Sequence, residues 1–164
     1  MRLQELIILL RHGESEANAD HTLWRTSPDN MINLTDNGIR QAEEAGQRIE
    51  ALFQSYENKN IKNGNANENK AETETTPGCA IKRVQMHSSP FERTLQTTIA
   101  ARPYFNHRVV QTIPESRIRE QEFGNFSKRD LGTFRDQQLK VGRFWYRFPT
   151  GESGADVYDR IKSW

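Results

Sequence analysis

The 164-residue chain has one cysteine, Cys79, so it can form neither an internal disulfide framework nor a multi-cysteine zinc or iron–sulfur site. It also lacks an excess of charge of either sign. Lys and Arg number 23 against 22 Asp and Glu, a net charge of +1, which leaves no electrostatic footprint for nucleic acid or an anionic membrane surface. No apolar run approaches the ~20 residues that span a bilayer. The stretch Leu6 to Leu10 is too short for a signal-peptide core and runs straight into Arg11-His12. These absences predict a soluble cytoplasmic chain, with nuclear entry left open. Hydrophobic residues make up only 34%. That is below the usual ~45–50% even with glycine added. Part of the chain is therefore expected to be unfolded, or part of a normal core to be missing. The length suits one domain.

What is present points to an α/β domain. Glu5 to Leu10 is a short continuous apolar run, the pattern of a strand buried on both faces in a parallel sheet. Thr35 is a good N-cap, and Ile39, Ala42, Gly46, Ile49 and Phe53 follow at helical spacing. Ala80 to His87 predicts a second strand and Arg108 to Gln111 a third. Between them Ser89-Pro90-Phe91-Glu92 fits a helix start with Ser89 as N-cap. Leu131 to Val141 reads as helix, and Phe144 to Phe148 as an aromatic cluster. Ser153 caps a last helix on which Val157, Ile161 and Trp164 share a face. In a β-α-β plan that face has no return strand to cover, so the domain reads as incomplete at its C-terminus. Residues 55–79 differ in kind: asparagines alternate with Lys, Glu and Gly, and such a stretch buries too little surface to offset its ordering entropy. We expect a single domain over 1–164 with a disordered insertion at 55–79.

Three short segments carry chemistry. Arg11-His12-Gly13-Glu14-Ser15 lies at the end of the first predicted strand, where parallel sheets present ligands. A histidine there can attack phosphorus if one ring nitrogen is free and the other is held. Gly13 permits a tight turn, and Arg11 offers a fork to two phosphate oxygens. The bland reading is a polar strand end. His87-Ser88-Ser89-Pro90 repeats the arrangement, with Arg93 in the first turn of a helix whose N-terminus attracts anions. The competing reading makes Arg93 a solvated helix residue. The third segment, Ile118 to Phe126, sets Glu120 and Glu122 among arginines and phenylalanines, where a carboxyl can serve as a general acid if desolvation outweighs the positive charge.

In this order the motifs resemble the histidine phosphatase superfamily, its phosphoglycerate-mutase-like branch, and most closely the plant and fungal proteins of that branch. The shared runs are Ser27-Pro28-Asp29 before Leu34-Thr35, Arg117 to Phe126, and Phe148 to Arg160. The resemblance implies a three-layer sandwich around a mostly parallel sheet. It makes His12 the residue that is phosphorylated and Glu120 the proton donor. Arg11 and Arg93 become phosphate clamps, with Ser15 and Asn18 near the bound phosphate. Neutral His12 attacks in line, the arginines stabilise the equatorial oxygens, and Glu120 protonates the departing oxygen. Fixed cations replace a metal, so no cofactor is expected. The partner implied is a phosphorylated small molecule or phosphoprotein.

One departure stands out. The family has a second active-site histidine in a Ser/Thr-His-Gly turn, and His21, His87 and His107 lie in other contexts. Losing one transition-state donor typically costs ~10²–10³ in rate, so weak or absent activity is expected. A cysteine-dependent phosphatase is excluded, because Gln85 stands where its arginine would follow Cys79. A phosphoglycerate-type mutase remains the alternative enzyme, although the connection after Phe126 is short for the extra closing loops a mutase needs. The alternative of another class is a non-catalytic phosphate-binding remnant. Oligomeric state is left open.

Overall fold

The computed structural model describes residues 6–64, 83–124 and 131–164. Four-residue helices α1 (Glu16–Ala19) and α2 (Leu23–Thr26) precede the long α3 (Asp36–Gly64). Strand β1 (Val84–Ser88), α4 (Glu92–Ala101) and β2 (Val109–Pro114) follow, then α5 (Leu131–Val141) and α6 (Gly154–Lys162). Turns of 3₁₀ helix cover Asp29–Met31, Arg102–Arg108 and Ser116–Ile118. The two strands run parallel, with Met86 opposite Thr112 and His87 opposite Ile113, and α4 makes the crossover between them. This β-α-β unit is the mixed α/β class expected.

The helix starts follow local chemistry. The Thr35 hydroxyl accepts from the Gly38 N–H at 3.0 Å, as an N-cap should. The Ser153 hydroxyl accepts from Asp156 N, and the Asp156 carboxylate returns the contact to Ser153 N at 2.7 Å. The Ser153 backbone and side-chain bonds and Arg147 hold the Asp156 carboxyl down at about 2. Its folded-state value is depressed, so its contribution is full above the unfolded value of ~3.9 and fades as pH falls through about 2. We expect the Ser153 amide to lose its hydrogen-exchange protection over that window, and Asp156→Asn to remove the pH dependence. The α4 start differs from expectation. Phe91, not Ser89, is the N-cap residue, and Ser89 Oγ instead accepts from Phe91 N in a turn just before the helix.

The core lies where α3 crosses α4. Phe53, Ala101 and Phe105 are buried, with Ile49, Val84, Met86 and Val109 packed around them. Gly46 makes the approach possible, since a Cβ there would sit 2.4 Å from the Ala101 carbonyl oxygen. Helix α3 runs past Ser55 to Gly64, so residues 55–64 are helical and not a disordered loop; residues 65–79, including Cys79, lie outside the described residues. The first of these added turns has a reason: Arg108 donates to Glu57 at 2.6 Å and to Glu50 at 2.9 Å, clamping α3 to the start of β2. A smaller cluster, Phe134, Tyr146 and Phe148, joins α5 to the loop before α6. Phe144 and Trp145 remain exposed, so the predicted aromatic cluster is only half buried.

The largest correction concerns the first apolar run. Residues 6–10 pair with no strand among the described residues, and Ile7 and Leu9 are 77% and 90% exposed. An apolar run can advertise burial, but the neighbouring strand and covering helices must supply it. Helix α6 is also little covered: none of its residues is buried, Ile161 and the following Trp164 are 42% and 53% exposed, and the Trp164 ring packs on His87 with centroids 5.1 Å apart. No helix among the described residues is long and apolar enough to cross a membrane.

Candidate active site

The Arg11-His12-Gly13 turn is docked on two helices. Gly13 N donates to Thr97 Oγ1 of α4 at 3.2 Å, and that hydroxyl donates to the Arg93 carbonyl at 2.7 Å. On the other side the turn meets the first turn of α3. A Cβ on Gly13 would lie 2.2 Å from Gly38 O, and one on Gly38 would lie 2.0 Å from Glu14 O. Glu14 N donates to Gln41 Oε1 at 2.8 Å, and Thr35 Oγ1 donates to the Glu14 carboxylate at 2.7 Å. Gly38→Ala should push this turn off α3 and destabilise the fold by ~1–3 kcal/mol, read as a lower urea midpoint at unchanged slope.

The His12 ring is held through one of its nitrogens. Its Nδ1 lies 2.7 Å from the Gly13 carbonyl oxygen, which can only accept, so Nδ1 carries the proton and Nε2 keeps its lone pair. Nε2 has no hydrogen-bond partner among the described residues. An open, polar cavity of ≈ 270 Å³ is lined by Arg11, His12, Gly13, Glu14, Asn18 and Gln41. The Arg11 guanidinium is likewise unpaired among the described residues. Ser15 is fully buried beneath, and Asn18 Oδ1 accepts from both its N–H and its hydroxyl at 3.0 Å. That leaves the Asn18 amide hydrogens as donors at the cavity wall, whereas Ser15 supports the turn from below.

Arg93 and Glu120 form a second group. Arg93 is 1% exposed, and Nη2 donates to Glu120 Oε2 at 2.9 Å. Nη1 donates to the Asp29 backbone oxygen at 2.6 Å and to its carboxylate at 2.9 Å. The Phe91 ring lies 5.0 Å from the guanidinium carbon and Trp24 5.9 Å away. Arg93 is thus a buried, paired cation and not a solvated helix residue. Burial raises the Asp29 carboxyl above its ordinary value, more than the Arg93 bond and charge lower it, and Glu120 and Glu122 push the same way as burial. Neither Arg93 nor Glu120 lines the His12 cavity; the link between the groups is the Gly13–Thr97–Arg93 bond chain.

Asp29 was not among the expected site residues. It stands in the Ser27-Pro28-Asp29 run, but its partner is 64 residues away, so local pattern could not reveal the pairing. Glu14 and Gln41, which complete the cavity wall, also escaped the reading.

The family model of the histidine phosphatase superfamily (branch 1) matches residues 7–55 and 67–164. The chain belongs to that superfamily. Its match leaves out residues 56–66, which include the end of α3. Phosphoglycerate mutase-like protein AT74 of Arabidopsis thaliana is 41% identical over 163 residues, covering 98% of this chain and 45% of its own length. The broad-range acid phosphatase DET1 of Saccharomyces cerevisiae is 27% identical, covering 96% of this chain and 67% of its own. The chain spans about half the length of the two plant relatives it matches. Among solved structures, Bacillus stearothermophilus YhfR superposes with a TM-score of 0.56 at 21% identity, covering 93% of this chain and 61% of its own. A mycobacterial glucosyl-3-phosphoglycerate phosphatase in complex with inorganic phosphate gives 0.55 at 15%, covering 93% and 56%. These likenesses show the fold alone.

Proposed function

We propose that the chain is a phosphohistidine-forming phosphatase of phosphate monoesters. The observation that carries this reading is the His12 ring: Nδ1 is tied to the Gly13 carbonyl, and Nε2 is left without a partner beside the cavity that Arg11 and Asn18 share. The Nε2 lone pair attacks phosphorus as the ester P–O bond breaks, and the Glu120 carboxylic acid gives its proton to the departing oxygen. Water then attacks the phosphohistidine, the P–N bond breaks, and Glu120 takes the water proton back. Arg11 and the Asn18 amide stabilise the equatorial oxygens. Arg93 joins them by exchanging its Glu120 contact for phosphate, while the backbone oxygen and carboxylate of Asp29 keep it in place.

Turnover is slow in this reading. The other histidines are engaged elsewhere: His21 Nδ1 contacts Ala17 O, His107 lies 3.8 Å from Glu50, and His87 packs on Trp164. With none of these three lining the His12 cavity, a loss of ~10²–10³ in rate is expected. The mutase reading draws on the names of the plant relatives. Incubation with 2- and 3-phosphoglycerate separates the two: release of inorganic phosphate supports the phosphatase, and interconversion of the two esters supports the mutase. No reaction with these or with p-nitrophenyl phosphate would leave the phosphate-binding remnant.

A further inference from the structure

Glu120 sits on a segment without helix or strand, and its side chain is 43% exposed. A general acid in such a place needs something else to hold it. The Arg160 guanidinium of α6 supplies this from behind. Its Nη1 donates to Arg117 O, and its Nη2 donates to Arg119 O at 2.8 Å and Glu120 O at 3.1 Å. Glu152 completes the clasp. Its carboxylate accepts from Arg160 Nε at 3.1 Å, Arg119 Nη2 at 2.6 Å and Glu122 N at 3.0 Å. Its backbone adds Glu152 N to Glu122 O at 2.7 Å and accepts from the Gln121 side chain at 2.8 Å. Both side chains of the clasp are largely buried, at 13% and 16% exposed. Burial opposes ionisation of Glu152, yet the Arg160 bond, the Glu122 amide and the two arginine charges hold its carboxyl below the usual range.

We propose that Glu152 and Arg160 are positioning residues for the Glu120 acid. They fix the backbone on both sides of Glu120, so that its carboxyl is presented at Arg93 and hence at the departing oxygen. The inference rests on the phosphatase reading above. Arg160 is suited to this because one planar fork reaches three carbonyls and a carboxylate at once, which a lysine cannot do.

The test compares two esters: p-nitrophenyl phosphate, whose leaving oxygen needs no proton, and an alkyl phosphate, whose leaving oxygen does. Arg160→Lys should lower kcat/KM, which reports the step that phosphorylates His12, by ~10–100-fold on the alkyl ester through misplacement of the acid, while kcat/KM on p-nitrophenyl phosphate changes little. Glu152→Gln, which keeps the shape and removes the charge, should show the same selectivity if Arg160→Lys fails to fold. In a Glu120→Gln background either substitution should cost nothing more, because the group being positioned is gone. Equal losses in kcat/KM on both esters, or losses that persist in Glu120→Gln, would overturn the positioning role alone. A wild-type chain that hydrolyses neither ester would overturn the phosphatase reading on which it rests.

Discussion

His12→Ala lowers phosphomonoester hydrolysis to background, a fall on the order of 10³-fold or more, with little change in melting temperature. The two halves of this expectation come from the same geometry. Among the described residues the His12 side chain makes one hydrogen bond, to the carbonyl of its own neighbour, so it contributes little to the packing that holds the turn. The turn is fixed by backbone contacts to Thr97, Gln41 and Thr35, and alanine leaves all of these in place. Stability should therefore change by less than ~0.5 kcal/mol. A nucleophile, by contrast, cannot be replaced by its surroundings. Steady-state rates and a thermal melt on the same preparation check both halves.

Arg93→Ala has the second large effect, and it falls on fold and activity together. Removing a nearly fully buried cation leaves the half-buried Asp29 carboxyl without its partner and empties the space between Phe91 and Trp24. The expected cost is ~3 kcal/mol, a large part of the ~5–15 kcal/mol that holds a domain together. Glu120 contributes little to that cost, because its side chain is 43% exposed and solvent screens the pair. Glu120→Gln should therefore leave the urea midpoint almost unchanged. The same substitution removes a carboxylate that competes with phosphate for Arg93, so inorganic phosphate should bind the variant roughly two- to fivefold more tightly. Isothermal titration with phosphate measures this, and unchanged or weaker binding would show that Arg93 and phosphate do not meet.

Much of the fold was readable locally. Thr35 and Ser153 cap their helices where the residue types placed them, and α5 occupies the predicted span, because capping and helical periodicity depend on neighbours three or four residues away. One misreading is local, the α4 cap at Phe91 rather than Ser89, and the larger ones involve distant partners. Asparagine-rich composition argued against helix beyond Ser55, but Arg108, some fifty residues on, clamps Glu57 and carries α3 further. Leu6 to Leu10 has the composition of a buried strand without any pairing among the described residues. The site divides in the same way. His12 and Arg11 stand out in a short run, and the Arg93–Glu120 pair joins two residues that motif and resemblance had each singled out. Asp29, Glu152 and Arg160 act on backbone and side chains 30 to 64 positions away, which spacing alone does not encode.

The central claim is that His12 Nε2 forms a covalent bond to phosphorus. Its most direct test is to mix the chain with a labelled phosphate monoester, quench within the first turnover, and map the label. The account predicts an acid-labile, base-stable phosphate on the peptide that contains His12, absent from His12→Ala. A folded chain that hydrolyses the ester while carrying no such label, or that carries it on another residue, would contradict it.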